Sequence, residues 1–305
     1  MAYLIKKLVK GKTYFYLASN VRTDGKWKKI QVYVGKKKPS PKQLSRYSRV
    51  LRQRVRQYQF SKDPLLTLVS EADLKALEKV KTSFKKLSKQ SKTVREKYYE
   101  WFITTFTYDS NAIEGSALTL RETSMVLFEG ITPPGRPLRD VRAAENHKAA
   151  FDWMVSYKGD ISKSFVLKLH KVMTRGILPS HESGKIRKAQ VYIRGAREIP
   201  PKPKDVEKEL GILLSWYKNN KKRYHPVVVA SYFHTAFEQI HPFVDFNGRT
   251  GRLLLNFILL KNDFPAIDIR NKDRQRYYSG IRSAIAGNLK PFVTLVIKYL
   301  KVLRL

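Results

Sequence analysis

The hydrophobic pattern changes its period at one point in the chain, and this change divides the sequence into two kinds of structure. Before residue 36, Ile30, Val32 and Val34 alternate with other residues, which is typical of a half-buried strand. From Leu44 onward, apolar residues recur about every 3.6 residues, which predicts helices. Residues 36–41, made of lysine, proline and serine, predict a linker between the two parts.

The strand part and the helical part each predict a set of elements. Three short strands within residues 2–36, with Asp24-Gly25 as a hairpin turn, predict a small antiparallel meander. Thr119 and Glu122 have the spacing of a capping box at the start of a helix. The stretch around 184–200 interrupts the helical pattern and predicts a hairpin or flap. Helices are predicted at 44–55, 71–106 with a break near 88–91, 138–156, 162–176, 204–219, 226–240, 248–262, 272–287 and 290–304.

Positive charge is concentrated at the start of the chain. Residues 1–60 contain 17 Lys and Arg but one acidic residue, Asp24, within a chain of net charge +36. Such a block attracts nucleic acid, anionic lipid or an acidic protein. The alternative is a lysine-rich composition that serves solubility. The aromatic residues of the meander could stack on bases, or they could pack as cross-strand pairs.

Composition excludes several classes of protein. The chain has no cysteine, which excludes disulfide scaffolds, thiolate zinc sites, iron–sulfur clusters and cysteine nucleophiles. There is no run of about 18 apolar residues, and Lys6 and Lys7 come too early for a signal peptide. We therefore expect a soluble, cytoplasmic protein with no membrane partner.

Two motifs resemble a phosphate-binding loop and a zinc site, but each lacks residues that such a site needs. Gly11-Lys12-Thr13 ends like a phosphate-binding loop, but Lys6 stands where its first glycine belongs and the segment reads as strand. His234 and His241 are seven residues apart and could share a helix face as zinc ligands. No third ligand has suitable spacing, and packing or hydrogen bonding is the alternative role for such histidines.

Residues 241–252 form a polar loop between two apolar helical patterns, and their chemistry suits a nucleotide phosphate. Gly248 and the N-terminus of the second helix can approach an anion closely, while Arg249 and Arg252 share one helical face. Asp245 is a suitable Mg²⁺ ligand, and His241 can accept a proton near neutral pH. The alternative is a corner between two helices whose charges have no function.

The same segment resembles the signature of Fic-domain proteins, usually written H-P-F-x-[DE]-G-N-[GK]-R and extended to a second arginine. Every specified position matches except Phe246, where the family usually has glycine. Residues 110–115 resemble the inhibitory pattern [ST]-x-x-x-E-[GN] of the class whose inhibitory helix precedes the core. Residues 184–195 resemble the flap that holds a target segment. Together the matches cover roughly residues 98–300.

The resemblance implies a mainly α fold, and we expect a Fic-type helical bundle with a β-hairpin flap, preceded by the basic meander and a helical arm. Three segments follow from this expectation: a basic β-meander at 1–38, a basic helical arm or linker at 39–97, and a catalytic core at 98–305. The inhibitory helix is expected near residues 107–116 of that core.

The resemblance also implies an activity: transfer of AMP from Mg-ATP to a Tyr, Thr or Ser hydroxyl of a target protein. His241 would be the general base and Asp245 the Mg²⁺ ligand. Glu114 would inhibit the enzyme by pairing with Arg252, or, as in some relatives, position water for removal of AMP. The nucleotide phosphates would be bound by Asn247, Gly248, Arg249 and Arg252. The flap residues that would pair with the target are Val191, Tyr192 and Ile193.

Several alternatives remain open in the sequence. Phe246 could point into the core, or it could narrow the site and change the preferred nucleotide. Relatives with Lys at the position of Gly248 phosphorylate their targets, and the retained glycine argues against that reaction. His241 could instead cap helix carbonyls, Glu114 could be a solvated acid, and residues 191–193 could be an ordinary strand. The competing function is a nucleic-acid-binding regulator, acting through residues 1–60, whose core is weakly active or vestigial. A homodimer is a further candidate assembly.

Overall fold

The computed structural model describes residues 2–23, 26–60, 63–193 and 199–303, which form two compact units. The first unit is Met1–Leu68 and the second is Val69–Leu305. This division falls inside the segment 39–97 that the sequence suggests as one arm or linker. The first helix of that segment belongs to the first unit, and the next helix belongs to the second.

The first unit is a three-stranded antiparallel sheet with one long helix. The strands are β1 (Ala2–Val9), β2 (Lys12–Thr23) and β3 (Lys26–Gly35), followed by α1 (Pro41–Phe60). The order β1-β2-β3 agrees with the predicted meander. The predicted turn at Asp24-Gly25 lies outside the described residues.

One face of the sheet packs on α1. Leu17 of β2, Val32 of β3 and Leu51 of α1 form a buried cluster, with Ile30 and Val34 packed against it. Because side chains alternate along a strand, Ile30, Val32 and Val34 lie on one face and their neighbours lie on the other. The alternation seen in the sequence is thus the pattern of a sheet that is covered by a helix on one side.

The second unit is helical throughout its described elements. A π-helical turn, Met125–Glu129, and a 3-10 turn, Asn271–Asp273, accompany the α-helices. The helices are α2 (Glu71–Ser88), α3 (Lys92–Ile113), α4 (Leu120–Ser124), α5 (Leu138–Ser156), α6 (Lys163–Met173), α7 (Pro203–Asn220), α8 (Pro226–Ile240), α9 (Asn247–Leu260), α10 (Arg274–Ile285) and α11 (Lys290–Val302). The mainly α fold is confirmed. Among the described residues, every helix is too short or too polar to cross a bilayer.

Helix caps explain two of the predicted boundaries. Ser91 caps α3 by accepting from the Val94 amide, which accounts for the predicted break after residue 88. Thr119 and Glu122 form the predicted capping box at the start of α4. However, α3 runs through Ile113, beyond the predicted end at residue 106, because polar side chains of its last two turns are buried against α9. The predicted inhibitory segment near 107–116 is therefore the C-terminal end of α3.

Candidate active site

The loop between α8 and α9 is held by two residues in the left-handed conformation. His241 ends α8 with φ +50°, and Phe246 precedes α9 with φ +63°. The side chain of Asn247, the first residue of α9, donates to the Phe243 carbonyl and accepts from the Phe243 amide, both at 2.9 Å. Phe243 itself is completely buried. The loop is therefore fixed by its own side chains, and the amide of Asn247, predicted to orient a phosphate, is used inside the loop here.

His241 has one ring nitrogen engaged and one available. Its Nδ1 lies 3.2 Å from the carbonyl oxygen of Glu238. Because a carbonyl only accepts hydrogen bonds, Nδ1 carries the proton in this contact and Nε2 is left as the acceptor. Burial lowers the pKa of His241, so the ring is neutral near pH 7. A neutral imidazole with a fixed tautomer is a suitable proton acceptor.

An anion cradle begins directly after the loop. The first amides of α9, at residues 247–249, have no partner inside the helix and carry the positive end of its dipole. Gly248 brings this backbone close to Glu114, and a Cβ at this position would overlap the Glu114 carboxylate. Arg249 and Arg252, both buried, add two guanidinium groups on the same helix. The predicted phosphate-binding residues are thus brought together, with Glu114 already among them.

Glu114 and Arg252 form the contact predicted from the sequence. The Arg252 Nη2 atom lies 2.8 Å from Glu114 Oε1. The rest of the guanidinium is also occupied: Nε donates to the Ser110 hydroxyl at 3.0 Å, Nη2 to the Ser110 carbonyl at 2.8 Å, and Nη1 to the Tyr277 hydroxyl at 3.2 Å. Arg252 is 1% exposed. Ser110 and Glu114 are the serine and glutamate of the upstream motif. Their spacing of four residues, one helical turn, allows both to bind the same arginine.

Phe246 points into the core, which was one of the two alternatives for this residue. It is 2% exposed, and the Arg249 guanidinium carbon lies 3.5 Å from the centre of its ring. Its amide donates to Asp245 Oδ1 at 2.6 Å. The backbone keeps the left-handed conformation that glycine favours. The aromatic side chain stacks on Arg249, a contact that glycine could not make.

Asp245 is surrounded by cationic groups. One carboxylate oxygen pairs with Arg139 at the start of α5, and the other lies 3.6 Å from Arg249 Nη2. Groups of three or more His, Asp or Glu side chains suited to a metal ion are not found among the described residues. This donor set still fits Mg²⁺, which commonly binds through one or two carboxylates together with substrate phosphates. Asp245 would hold the ion once Arg139 moves away.

Two residues that the sequence reasoning did not assign join the flap segment to this loop. His170 of α6 accepts from the Gly184 amide at 2.9 Å, so its Nε2 is protonated and donates to the Asp245 carbonyl, 3.1 Å away. Arg187, 3% exposed, donates to the His241 carbonyl at 2.8 Å and to the Pro201 carbonyl at 2.6 Å. In the sequence, Arg187 follows Lys185 and Ile186 in a basic run, and nothing in that run indicated that its side chain would be buried.

Glu238 is the other residue that sequence reasoning missed. It lies one turn before His241 on α8, and its buried Oε1 atom accepts no hydrogen bond from the described residues. Burial, followed by the nearby charge of Glu114, raises the pKa of Glu238 to about 8, against the opposing effect of Arg252. The signal available in the sequence was its spacing of four residues from His234, on the same face of α8.

The remaining predicted residues have simpler environments. Val191, Tyr192 and Ile193 lie in irregular backbone without strand pairing, and residues 194–198 lie outside the described residues, so the β-hairpin of the flap stays a prediction. Tyr192 is 76% exposed. His234 is buried with Nε2 2.9 Å from the Tyr277 hydroxyl, which is a packing and hydrogen-bonding role.

These groups open into one cleft of about 1280 Å³. His241, Asp245 and Gly248 line it beside Glu114, and Tyr192 lines it as well. The cleft is large enough for a nucleotide with a peptide segment beside it. It brings a neutral base, a carboxylate, an anion cradle and an exposed segment to one place.

Comparison with known proteins agrees with the motif. Residues 160–259 match the Fic/DOC family. The protein adenylyltransferase Fic of Nematostella vectensis is 30% identical over 216 residues, which cover 67% of this chain and 47% of that protein. The protein adenylyltransferase fic-1 of Caenorhabditis elegans is 30% identical over 242 residues, covering 77% of this chain and 47% of that protein.

The fold agrees as well. A solved structure of Fic-1 from C. elegans superposes with a TM-score of 0.68 at 27% identity, covering 85% of this chain and 77% of that one. The chain therefore carries a Fic/DOC family domain. It spans about half the length of the curated relatives that it matches.

Proposed function

We propose that this protein transfers AMP from ATP to a hydroxyl group of a target protein. The observation that carries the proposal is the fixed tautomer of His241, whose available Nε2 belongs to the same loop as the anion cradle at the start of α9. The relatives named as protein adenylyltransferases support this reaction over a purely binding role with a vestigial core.

The chemistry follows from these groups. His241 Nε2 takes the proton of a Tyr, Thr or Ser hydroxyl, and the hydroxyl oxygen attacks the α-phosphorus. The bond from that phosphorus to the bridging oxygen breaks, and pyrophosphate leaves. The amides at 247–249 and Arg249 neutralise charge on the phosphates during the transfer. Positioning and charge neutralisation account for most of the rate enhancement in reactions of this type. Mg²⁺ held by Asp245 would add further charge neutralisation.

Glu114 is proposed to keep the resting enzyme inactive. Its carboxylate occupies the Arg252 guanidinium, which we expect to bind the γ-phosphate of ATP. It also fills the space next to Gly248, where a phosphate would approach the helix amides. Displacing Glu114 would open both sites together. The same carboxylate, placed at the phosphate site, could instead position water for the removal of AMP from a modified target.

The exposed segment at 191–193 is proposed to hold the target. Arg187 and His170 fasten both ends of the flap region to the catalytic loop, so a peptide lying along Tyr192 would be set against His241. A segment without strand pairing can add a strand from a partner when it becomes extended on binding. The target is a protein with an accessible hydroxyl group.

The test uses the Glu114→Gly protein with Mg²⁺ and ATP labelled at either the α- or the γ-phosphate. We expect label on protein from α-labelled ATP only, and its loss in the matched Glu114→Gly/His241→Ala protein. Label from the γ-position only would mean phosphate transfer. No label from either position, on the protein itself or on a cell lysate, would refute the proposal.

We also propose a polyanion partner for the N-terminal region and a second copy of the chain as a regulatory partner. Residues 1–60 would recruit the catalytic unit to a polyanion, because 17 basic residues stand there against one acid. A homodimer would regulate access to Glu114, and light scattering of the purified chain would detect it.

A further inference from the structure

The sheet of the first unit has a second face, opposite to the one that packs on α1. Its residues alternate along each strand with those that pack on α1, and we call it the open sheet face. Tyr16 of β2 is opposite Tyr33 of β3 and Ile5 of β1 in the register. Among the side chains that the structure describes, the aromatic and basic members of this face are Tyr3, Lys7, Tyr14, Tyr16, Trp27, Lys29 and Tyr33.

Three of the aromatic rings of this face form a connected row, and Trp27 lies further along β3 on the same face. Tyr33 lies between Tyr14 and Tyr16, with ring centres 6.1 and 5.5 Å apart. The rings do pack as cross-strand pairs, which was one of the two alternatives from the sequence. They also remain accessible, because Tyr33 is 46% exposed and Trp27 is 68% exposed. Cross-strand packing therefore leaves a π surface that water can reach.

Cationic groups are interleaved with this row. The Lys7 ammonium lies 4.7 Å from the centre of the Tyr16 ring and bonds Gln31 at 3.2 Å. Lys29, exposed on the same face, is opposite Asn20 of β2. In a segment with one acidic residue among its first 60, the field over the face is positive. Exposed rings can stack on nucleotide bases, and the ammonium groups between them can pair with phosphates, which is the arrangement that a single-stranded nucleic acid requires.

We propose that the open sheet face binds single-stranded nucleic acid, with bases stacked on Tyr33 and Trp27 and phosphates near Lys7 and Lys29. A duplex fits less well, because its bases are already stacked and its major groove admits a helix or a two-stranded ribbon. The backbones of β1 and β3 are about 10 Å apart, and side chains make the sheet wider still. A three-stranded sheet is therefore too wide to enter the major groove of a duplex, which is about 12 Å across. An unpaired strand offers its base faces directly.

The test measures binding of the full chain to fluorescent oligo-uridine, oligo-deoxythymidine and a duplex of equal length, by anisotropy at several salt concentrations. Tyr33→Leu keeps an apolar side chain but removes the ring. It should weaken single-strand binding about tenfold, as expected for one lost stacking contact. The two single strands show whether RNA or DNA is preferred.

Two adjacent lysines supply a matched pair of variants. Lys29 lies on the open sheet face, and Lys28, also exposed, is opposite the buried Val21 on the other face. Lys29→Gln should weaken binding two- to threefold and reduce the salt dependence by roughly one phosphate contact. Lys28→Gln removes the same charge and should change binding less.

Three results would overturn the proposal. One is equal weakening by Lys28→Gln and Lys29→Gln with no effect of Tyr33→Leu, which would mean diffuse attraction of charge. Another is tighter binding of the duplex than of either single strand. The third is no single-strand binding at low salt, with binding to anionic vesicles or an acidic peptide in its place. Circular dichroism of each variant checks that the sheet is retained.

Discussion

Replacing Phe246, at the start of α9, separates two opposing contributions to the free energy of unfolding: the strain of its backbone and the burial of its ring. The residue sits at φ +63°, which costs a residue with a Cβ about 1–2 kcal/mol relative to glycine. Its ring is 2% exposed and stacks on Arg249, and removing a buried phenyl ring typically costs about 3–5 kcal/mol. Phe246→Ala loses the ring and keeps the backbone strain. Phe246→Gly loses the ring but releases part of the strain.

We therefore expect both variants to be less stable than the native protein, with Gly about 1 kcal/mol more stable than Ala. For the 237 residues of the second unit, the loss of about 3–5 kcal/mol in Phe246→Ala corresponds to a melting temperature lower by roughly 6–20 °C. Urea and thermal denaturation, followed by circular dichroism, measure both differences. An Ala variant as stable as the Gly variant would refute the left-handed backbone. A Gly variant as stable as the native protein would refute the contribution of the ring.

Three further predictions concern groups around the loop. Gly184→Ala should lower the melting temperature by several degrees, because φ is +70° and a Cβ would lie 2.7 Å from Lys171 Cβ and 2.8 Å from the Leu167 carbonyl. The control is Gly211→Ala in α7, which has open space around it and should be neutral or stabilising. Equal effects of the two substitutions would contradict this account. Arg139→Ala, in the Glu114→Gly protein, should lower the Mg²⁺ concentration needed for half-maximal transfer about threefold, because it frees Asp245; a higher requirement would mean that Arg139 assists the phosphates. Glu238→Gln should reduce the loss of stability between about pH 5 and pH 8 in urea denaturation, because an acid whose pKa is raised to about 8 on folding stays protonated in the native state while the unfolded chain ionises; an unchanged pH profile would contradict the raised pKa.

The periodic pattern predicted the helices well because each buried face is continuous along the sequence. The α5 prediction matches residue for residue, and the break before α3 was visible from its serines. The predicted end at residue 106 was wrong, because α3 continues without a break into the expected inhibitory helix near 107–116 and buries Ser110 and Asn111 in its last turns. Their partners, Arg252 and Arg249, lie about 140 positions further along the chain, and no local pattern reports such contacts.

The candidate site was predicted where one short segment carries the chemistry. Residues 241–252 contain the base, the carboxylate and both arginines. What could not be predicted is the bracing from elsewhere: His170 reaches the loop from α6, and Arg187 reaches it from the flap region. The choice for Phe246 also needed the structure, because the burial of its ring and the contact of that ring with Arg249 depend on how the loop packs against the rest of the unit.

Comparing the affinities of ATP and ADP tests most directly whether the protein's own helix closes its phosphate site. With Glu114 on Arg252, the native protein should bind the two nucleotides about equally, because the γ-phosphate finds its arginine occupied. In Glu114→Gly, Arg252 loses its carboxylate partner while Ser110 and Tyr277 still hold it in place. A charge-assisted hydrogen bond from its guanidinium to the γ-phosphate, worth about 1.5–3 kcal/mol, should then favour ATP over ADP by about 10- to 100-fold. Calorimetric titration with Mg²⁺ present gives both constants. A ratio that stays near one in Glu114→Gly would contradict the account.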